Sequence, residues 1–449
     1  MTFLIQTYGC QMNVHDSEAA AALLIAAGHM PVADEVSADL VLVNSCSVRG
    51  KAEDKAIGKL RELAAGKRKH PGRIVGVMGC MAQRLGAELF KRVRGLDFAV
   101  GTRSAHHLPQ LAATAAAGGG RQLALAGADA AAVPHAHLRG GLSAYVTVLL
   151  GCNRRCAYCI VPDVRGPEFS RPPREILAEI AALLASGVRE ITLLGQSVLN
   201  YGRAGDVWTG YPPSPAGFRE PFPRLLEAVA ALPGIGRVRF TSAHPSGCSS
   251  ELARAMGTLP PLCAHLHLPV QSGSDRLLGL MRRGYTAAGY EEAVARLRAA
   301  VPDCAITSDV IVGFPTETEA DFEATRELLR RVGFDNSFIF KYSPRPGTPA
   351  AAMADDVPAA EKMRRNRVLL ADQDRIGLAR NEAWIGRETE VLAEGPSLRN
   401  AARWAGRNSQ NKIVLFAPRA DVAAGDLARV RITRAKPQTL YGTLVEQGS

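Results

Sequence analysis

The sequence predicts an α/β protein with three folded parts: an N-terminal parallel-sheet α/β domain, a central partial (β/α)6 barrel and a small C-terminal β-barrel. Strand-like and helix-like stretches alternate over the first hundred residues, and the alternation restarts near residue 144. After residue 385 the pattern changes to short strands between Gly, Pro and Asp turns. The predicted boundaries are 1–111 for the N-terminal domain, 112–141 for an Ala/Gly-rich connector, 142–357 for the partial barrel, 358–384 for a connecting helix and 385–449 for the small barrel.

The first hundred residues predict βαβ units. The predicted elements are strands at 3–8, 39–44 and 73–78 and helices at 17–28 and 51–65. In a parallel sheet the C-terminal ends of the strands lie along one edge, where open α/β folds bind ligands. Cys10, Cys46 and Cys80 each follow a predicted strand by two residues, so we expect the three thiols to converge. The alternative is three unrelated buried cysteines, but the repeated position after a strand favours one shared site.

The middle of the chain predicts six further strand–helix units. The strands are expected at 144–150, 190–195, 237–241, 263–268, 305–312 and 336–341, and the helices at 174–186, 223–232, 249–258, 287–300 and 318–332. Six β/α units resemble a partial barrel, since a complete β/α barrel has eight. Since the reactive face of a β/α barrel lies at the strand C-termini, residues that follow these strands are candidates for function.

Cys152, Cys156 and Cys159 follow the first of these strands in the run GCNRRCAYCIVP. Three thiolates with C-x3-C-x2-C spacing can hold three corners of a 4Fe-4S cluster, which usually has four Cys ligands. The fourth iron is then open and can chelate a small molecule. A zinc knuckle is the alternative, but it needs four ligands in paired C-x2-C spacing, and no second pair follows. The remaining cysteines are interpreted as core residues: Cys248, Cys263 and Cys304.

Small and amide residues follow the other strands and could accept a nucleoside. We single out Gln196 and Gln271 as cofactor-binding candidates, although ordinary turn chemistry is the alternative for any one strand end. Three histidines near these ends suggest a metal, but two of them alternate along one strand, which favours core or barrel-lining positions: His244, His265 and His267.

The C-terminal part predicts a modestly basic β-barrel of about sixty residues. Strands are expected at 389–395, 411–417, 427–435 and 438–445, after a long charged helix. Residues 385–449 hold ten Lys or Arg against six Asp or Glu, which suggests an RNA-binding surface. The alternative is a stabilising cap with a solvated basic face. The candidate RNA-binding residues are Arg403, Arg407, Lys412, Arg429 and Arg431.

Composition limits the protein class. With 449 residues, 47% hydrophobic and 22% charged, the chain is an ordinary globular protein, and nine cysteines in this length do not fit a small secreted disulfide scaffold. No signal peptide and no run of eighteen apolar residues is present, so we expect no membrane and a cytoplasmic location. The net charge of +11 points to a polyanionic partner, with nucleic acid as the first candidate.

Taken together, the chain resembles the methylthiotransferase family of radical S-adenosylmethionine (SAM) enzymes. Three stretches carry the resemblance, and it is specific and covers nearly the whole chain: YGCQMNVHDSE (8–18), GCNRRCAYCIVPDVRG (151–166) and LHLPVQSGSDRLLGLMRRGYT (266–286). Within the family, Gly9–Asn13 and Gln271–Ser274 are most similar to the branch that acts on tRNA. Three departures from its usual pattern bear on substrate preference rather than on the reaction type: Gln196–Asn200, Pro162–Val164, and Asn408 with Gln410.

The resemblance implies two 4Fe-4S clusters, with the radical SAM cluster on Cys152, Cys156 and Cys159 and an auxiliary cluster on the other triad. It also implies that Tyr158 packs against SAM and that the C-terminal barrel is an RNA-binding TRAM domain. The expected reaction converts N(6)-isopentenyladenosine next to the tRNA anticodon to its 2-methylthio derivative, with one SAM as methyl donor and one as radical source. The implied partners are the tRNA anticodon stem-loop, whose unpaired bases suit specific recognition, an electron donor such as flavodoxin, and a sulfur source.

Three rival functions stay open at the level of sequence. A related tRNA enzyme acts on threonylcarbamoyl-adenosine, and another branch of the family modifies an aspartate of a ribosomal protein. A third possibility is a non-catalytic RNA-binding protein with structural clusters. The two incomplete cysteine triads argue against the third, because a structural cluster gains stability from a complete ligand set.

Overall fold

A computed structural model describes residues 1–47, 50–125 and 141–445. The N-terminal domain is a six-stranded parallel sheet in the order β2-β1-β3-β4-β5-β6, with helices on both faces. Buried apolar side chains from the central strands β3 and β4 form a core on each face. The elements are β1 (Thr2–Tyr8), α1 (Gln11–Ala26), β2 (Met30–Pro31), β3 (Leu40–Ser45), α2 (Gly50–Gly66), β4 (Ile74–Met78), α3 (Cys80–Leu85), α4 (Glu88–Arg92), β5 (Phe98–Val100), α5 (Leu108–Ala116) and β6 (Gln122–Ala124).

Two elements of this domain differ from the sequence prediction. Helix α1 begins at Gln11, six residues before the predicted start, because Cys10 and Asn13 form a reciprocal capping box at its N-terminus. The predicted connector 112–141 begins inside α5 and contains β6, which pairs in parallel with β5. Its Ala-rich composition suits a helix as well as a linker, so composition alone could not separate them. Residues 126–140 of the connector lie outside the described residues.

The middle of the chain forms the predicted partial barrel of six parallel strands. Two three-stranded sheets, β7-β10-β11 and β12-β13-β14, are joined where Val238 pairs with Leu262 and accepts the Cys263 N–H at 3.0 Å. One large buried cluster fills the space between strands and helices. The elements are β7 (Ser143–Thr147), β8 (Leu149–Leu150), α6 (Val161–Arg165), β9 (Phe169–Ser170), α7 (Pro173–Ala185), β10 (Glu190–Leu194), α8 (Pro221–Ala230), β11 (Arg237–Phe240), α9 (Ser250–Thr258), β12 (His265–His267), α10 (Asp275–Leu280), α11 (Ala287–Ala300), β13 (Ala305–Val312), α12 (Glu319–Val332) and β14 (Asn336–Lys341).

A long helix, α13 (Ala359–Glu382), leads into a closed five-stranded barrel in the order β15-β16-β17-β19-β18. Its core includes Trp384, Val414, Phe416 and Val430. The sequence predicted four strands here and missed the second, because the run NAARWAGRN lacks apolar alternation. No helix within the described ranges is long and apolar enough to cross a membrane. The strands are β15 (Glu388–Ser397), β16 (Asn400–Asn408), β17 (Ile413–Phe416), β18 (Leu427–Lys436) and β19 (Thr439–Leu444).

Candidate functional site

The three N-terminal cysteines lie at one edge of the sheet. Cys10 follows β1, Cys46 follows β3 and Cys80 begins α3 after β4, and these three strands are neighbours. The Cys10 and Cys46 side chains are hydrogen bonded, and this bond, opposed by burial, lowers the pKa of the Cys10 thiol to about 6. Burial raises the pKa of Cys80. Cys10 can therefore carry a negative charge at neutral pH even without a bound metal.

A polar network behind these cysteines fixes their backbone. The Asn13 amide donates to Asn44 Oδ1 at 3.1 Å, and the Asn44 amide donates back to the Asn13 carbonyl at 2.8 Å. Gly79, just before Cys80, has φ 94° and lies so close to Asn44 that a Cβ would come within 2.3 Å of its Oδ1. Only glycine fits there, so the sequence places Cys80 beside the other two strand ends.

The second triad occupies the loop after β8. Cys152 and Cys156 are buried, Cys159 is partly buried, and the Cys159 N–H donates to the Cys156 carbonyl at 3.1 Å. Burial raises the pKa of the Cys159 thiol to about 12. Arg283 is 6% exposed and its Nη1 lies 3.2 Å from Cys156 Sγ. Among the ion pairs of the described residues none involves Arg283, so its buried charge faces the cysteine loop without a carboxylate partner.

Both triads fit the predicted clusters by the chemistry of their donors. Each offers three thiols, and a buried arginine donates to one sulfur of each: Arg283 to Cys156 and Arg165 to Cys80. The buried Arg283 needs an anion nearby, and a cysteine-bound iron–sulfur cluster supplies negative charge that such a hydrogen bond tunes. Arg165 already pairs with the Asp16 carboxylate. In the described part of the chain, no three His, Cys, Asp or Glu side chains are grouped as ligands of one metal ion.

Two of the candidate SAM-binding residues, Gln196 and Gln271, follow strands of the partial barrel, and the third, Tyr158, lies within the cysteine loop. Both polar atoms of the Gln196 side-chain amide, two residues after the end of β10, are buried without a hydrogen-bond partner. Unsatisfied buried amides are rare and costly, so this group is suited to a polar ligand. Tyr158 packs partly buried beside Ala157, Phe314 and Tyr342. Burial raises its pKa, so the phenol is neutral.

Two strand ends carry backbone strain. Gln271 after β12 has φ 74° and Ser242 after β11 has φ 64°, a region that non-glycine residues seldom adopt. The Gln271 peptide is nevertheless held in the sheet, because its N–H donates to Asp309 and its carbonyl accepts from Ile311. Strain of this kind is concentrated at functional sites.

The three histidines have hydrogen-bond partners in the barrel. His244 bonds Ser246 at 2.9 Å, and burial lowers its pKa to about 2. His265 and His267 both bond Thr307 Oγ1, at 3.3 and 3.0 Å. These contacts account for the histidines as barrel-lining residues.

Sequence reasoning missed the buried arginines. Arg165 lies in the stretch GCNRRCAYCIVPDVRG and Arg283 in the stretch LMRRGYT. Both stretches carry the family resemblance, so both arginines lie within recognised motifs. Arg165 Nε lies 3.2 Å from Cys80 Sγ, although 85 residues separate the two. The available signal was an arginine inside a family motif, but the sequence does not say which sulfur it reaches.

Three of the proposed RNA-binding residues lie on exposed parts of the C-terminal barrel. The side chains of Arg429 and Arg431 are 68% and 59% exposed and both pair with Glu388, so they share one face of β18. Arg403 is exposed and lies 5.6 Å from the Tyr441 ring. Arg407 is intermediate, with a side chain 38% exposed and 3.4 Å from Glu394.

Lys412 differs from this prediction and requires a correction. Its side chain is 8% exposed, and Nζ lies 2.7 Å from both Asp335 Oδ1 and Asn381 Oδ1. A lysine buried in an ion pair is not available to phosphate, so Lys412 joins the small barrel to the partial barrel instead. The number of charged residues in the small barrel could not predict this ion pair, because Asp335 lies 77 residues before Lys412 in the sequence.

Arg407, Asn408 and Ser409, which precede Lys412, also contact the partial barrel. Arg237 donates to the Arg407 carbonyl at 2.6 Å, and Arg239 donates to the carbonyls of Asn408 and Ser409 at 2.8 and 3.0 Å. Arg237 is the first residue of β11, so the loop lies at the N-terminal ends of the strands of the partial barrel. The cysteine loop lies at the opposite end.

Three family models match the chain in series. Residues 2–101 match the Uncharacterized protein family UPF0004, residues 146–329 match the Radical SAM superfamily and residues 382–445 match the TRAM domain. Among solved structures, the radical SAM methyltransferase TsrM from Kitasatospora setae matches with a TM-score of 0.56 at 16% identity, covering 78% of this chain and 77% of that one. The cobalamin-dependent radical enzyme OxsB matches with a TM-score of 0.53 at 12% identity, covering 84% and 56%. These two likenesses concern the fold.

Full-length relatives are much more similar. A tRNA-2-methylthio-N(6)-dimethylallyladenosine synthase from Akkermansia muciniphila is 44% identical, with 98% of this chain and 97% of that protein covered. One of the same name from Moorella thermoacetica is 44% identical over 99% and 98%. A third, from Methylacidiphilum infernorum, is 40% identical over 99% and 95%. At this identity over the full length of both partners, the chain belongs to the tRNA-2-methylthio-N(6)-dimethylallyladenosine synthase family.

Proposed function

We propose that this chain is a radical SAM methylthiotransferase that converts N(6)-isopentenyladenosine next to the anticodon of tRNA to its 2-methylthio derivative. One observation carries the proposal: two cysteine triads, each at strand C-terminal ends, lie in a chain with full-length relatives named for this reaction. Two SAM molecules are consumed, one as methyl donor and one as radical source. The three parts of the chain would then share the work as sulfur site, radical site and RNA-binding barrel.

The two triads would hold two 4Fe-4S clusters, each with one iron free of protein ligands. When bound, SAM and the clusters supply the methyl group, the radical and the sulfur, so the protein contributes positioning and exclusion of water. We assign the radical SAM cluster to the 152–159 loop and the auxiliary cluster to the N-terminal triad. The match of residues 146–329 to the Radical SAM superfamily supports the first assignment, because that range contains the 152–159 loop.

The SAM-binding role of the strand ends stays a proposal, with each residue doing what its surroundings allow. The Gln196 amide would donate to and accept from SAM or the target base, since both of its polar atoms are unsatisfied. Tyr158 would offer a partly buried ring to the SAM adenine, and Gln271 would offer an amide after β12, where the backbone is strained. Exclusion of water from these buried groups would strengthen each contact.

The tRNA would contact the exposed basic residues of the small barrel, namely Arg403, Arg429 and Arg431, with Arg407 at the edge of the surface. Phosphate contacts of this kind fix the position of an RNA, while unpaired anticodon-loop bases allow specific recognition. The net charge of +11 is consistent with this partner. An electron donor such as flavodoxin and a sulfur source complete the proposal, because the reaction consumes both electrons and sulfur.

The decisive experiment is nucleoside mass spectrometry of tRNA from a deletion strain. The tRNA of this strain should contain N(6)-isopentenyladenosine that lacks the methylthio group, and the wild-type gene should restore the 2-methylthio derivative. Cys80→Ala and Cys156→Ala should fail to restore it, whereas Cys263→Ala, a buried cysteine outside both triads, should succeed. Loss of a methylthio group from threonylcarbamoyl-adenosine, or from a ribosomal protein, would overturn the proposed substrate.

The division between the clusters has its own test. Reconstituted protein should hold about eight iron atoms per chain, and replacing Cys152, Cys156 and Cys159 with Ala should leave about four. Replacing Cys10, Cys46 and Cys80 instead should stop methylthio transfer while reductive formation of 5′-deoxyadenosine from SAM continues. A folded chain that loses all its iron on either change would contradict two independent sites.

A further inference from the structure

The segment between the two cysteine triads is the short helix α6 and the turn after it, residues 161–167. It begins two residues after Cys159 and ends against the N-terminal domain. Ile160 and Val164 pack with Cys80 in one buried cluster, although Cys80 belongs to the other triad. The chain that leaves the radical SAM loop therefore reaches the second site directly.

Arg165, the last residue of α6, contacts the second triad through its side chain. It is 5% exposed, its Nε lies 3.2 Å from Cys80 Sγ, and its two Nη atoms lie 3.2 and 2.6 Å from the Asp16 carboxylate oxygens. The bidentate pair leaves the guanidinium only one orientation. Nε is thus aimed at the sulfur by a carboxylate on α1, which itself begins beside Cys10.

The backbone on either side of Arg165 is held by both domains. Thr102 Oγ1 donates to the Val164 carbonyl at 2.7 Å, and Arg103 Nη2 donates to the Pro167 carbonyl at 2.7 Å. On the other side, the Cys152 N–H donates to the Gly166 carbonyl at 3.0 Å. One short segment therefore contacts a ligand candidate of each cluster, Cys80 by side chain and Cys152 by backbone.

We propose that Arg165 is a positioning residue that couples the two cluster sites, by fixing the auxiliary triad against the radical SAM loop and donating a charge-assisted hydrogen bond to the Cys80 sulfur. The inference rests on the proposed function, because it takes both triads as cluster sites. A hydrogen bond from a cation to a cluster sulfur stabilises the more negative, reduced state. Arg165 therefore raises the reduction potential of the auxiliary cluster, besides holding it in place.

The test uses the full chain with Cys152, Cys156 and Cys159 replaced by Ala, so that any cluster signal comes from the N-terminal triad. In this background Arg165→Gln and Arg165→Lys are compared with Arg171→Gln. Arg171 is a matched control, because it forms an equally buried pair with Glu179 at 2.7 Å in the same domain. The readouts are iron per chain, the electron paramagnetic resonance spectrum of the reduced cluster and its midpoint potential.

We expect Arg165→Gln to keep about four iron atoms but to change the spectrum and shift the potential to a more negative value. The midpoint potential of Arg165→Lys should lie between those of Arg165→Gln and the parent, and the spectrum and potential of Arg171→Gln should match those of the parent. If Arg165→Gln cannot hold iron, retention of the cluster by Arg165→Lys and Arg171→Gln would still support the proposal. Equal spectra and potentials in all variants would overturn it, as would iron loss that Arg171→Gln shares. Absence of any cluster in the parent would instead refute the auxiliary site itself, and with it the proposed function.

Discussion

Replacement of Lys412 by Met separates a structural role from an RNA-binding role. Lys412 Nζ lies 2.7 Å from Asp335 Oδ1, and the two side chains are 8% and 5% exposed. Removal of one partner of a buried ion pair costs about 3–5 kcal/mol, because the other charge stays buried without compensation. Arg380 also lies 3.5 Å from Asp335 and retains part of the compensation. We therefore expect the lower value, about 3 kcal/mol, while the Met side chain preserves the packing of the lysine stem.

Urea unfolding followed by tryptophan fluorescence measures this effect. Two of the three tryptophans, Trp384 and Trp404, lie in or against the core of the small barrel, so the signal reports mainly on that domain. Domains of one chain can unfold separately, so the barrel transition is fitted alone. Lys436→Met is the matched control, since Lys436 is an exposed lysine on the same barrel and should change stability by less than about 0.5 kcal/mol.

A double variant and an RNA titration complete the assay. Adding Asp335→Asn to Lys412→Met removes the unpaired charge, so part of the lost stability should return. At temperatures where both proteins are folded, Lys412→Met should bind tRNA with the wild-type salt dependence. An unchanged unfolding midpoint together with a shallower salt slope would refute the reasoning, because Lys412 would then be a phosphate contact and not an inter-domain one.

Three further predictions concern the other sites. Replacing Arg429 and Arg431 together with Gln should reduce the slope of log affinity against log salt by about 1.4 in filter binding with tRNA, as two single-strand phosphate contacts would. Gln196→Ala should weaken SAM binding about tenfold in equilibrium dialysis while the iron content stays constant. Gly166→Ala should destabilise the protein by about 1–3 kcal/mol in thermal unfolding, because Gly166 has φ 75° and a Cβ would lie 2.9 Å from Arg103 Cζ; a wild-type melting temperature would contradict this.

The fold class could be predicted because its strands are locally apolar and locally regular. All six strands of the partial barrel were predicted within two residues at their start, since β/α units repeat the same pattern of an apolar strand followed by an amphipathic helix. The missed strand β16 has four exposed residues before Trp404 and gains its structure from pairing with β15 and β17. Tertiary pairing of this kind leaves no local pattern to detect.

The residues of the candidate site likewise include some that the sequence predicts and some that it does not. The positions of the two cysteine triads could be predicted because the cysteines follow strand ends, which is a local property of the chain. The contacts of Arg165 and Arg283 could not, because Cys80 and Cys156 are 85 and 127 residues away from them. Which anion a buried arginine meets depends on how helices and loops pack, and one-dimensional spacing holds no information about that.

In the loop 407–412, long-range contacts that the sequence does not reveal change the interpretation of two residues. Asn408 and Gln410 depart from the usual family pattern, and on sequence alone that departure bears on substrate preference. In the structure Asn408 is fully buried, its carbonyl accepts from Arg239 at 2.8 Å and its side-chain amide donates to Thr389 at 3.3 Å, while Gln410 is 9% exposed. Neither side chain is placed to meet RNA. The Asn408 side chain therefore acts within the small barrel, where it joins β15 to the turn before β17, and its contact with the partial barrel is made by its backbone carbonyl.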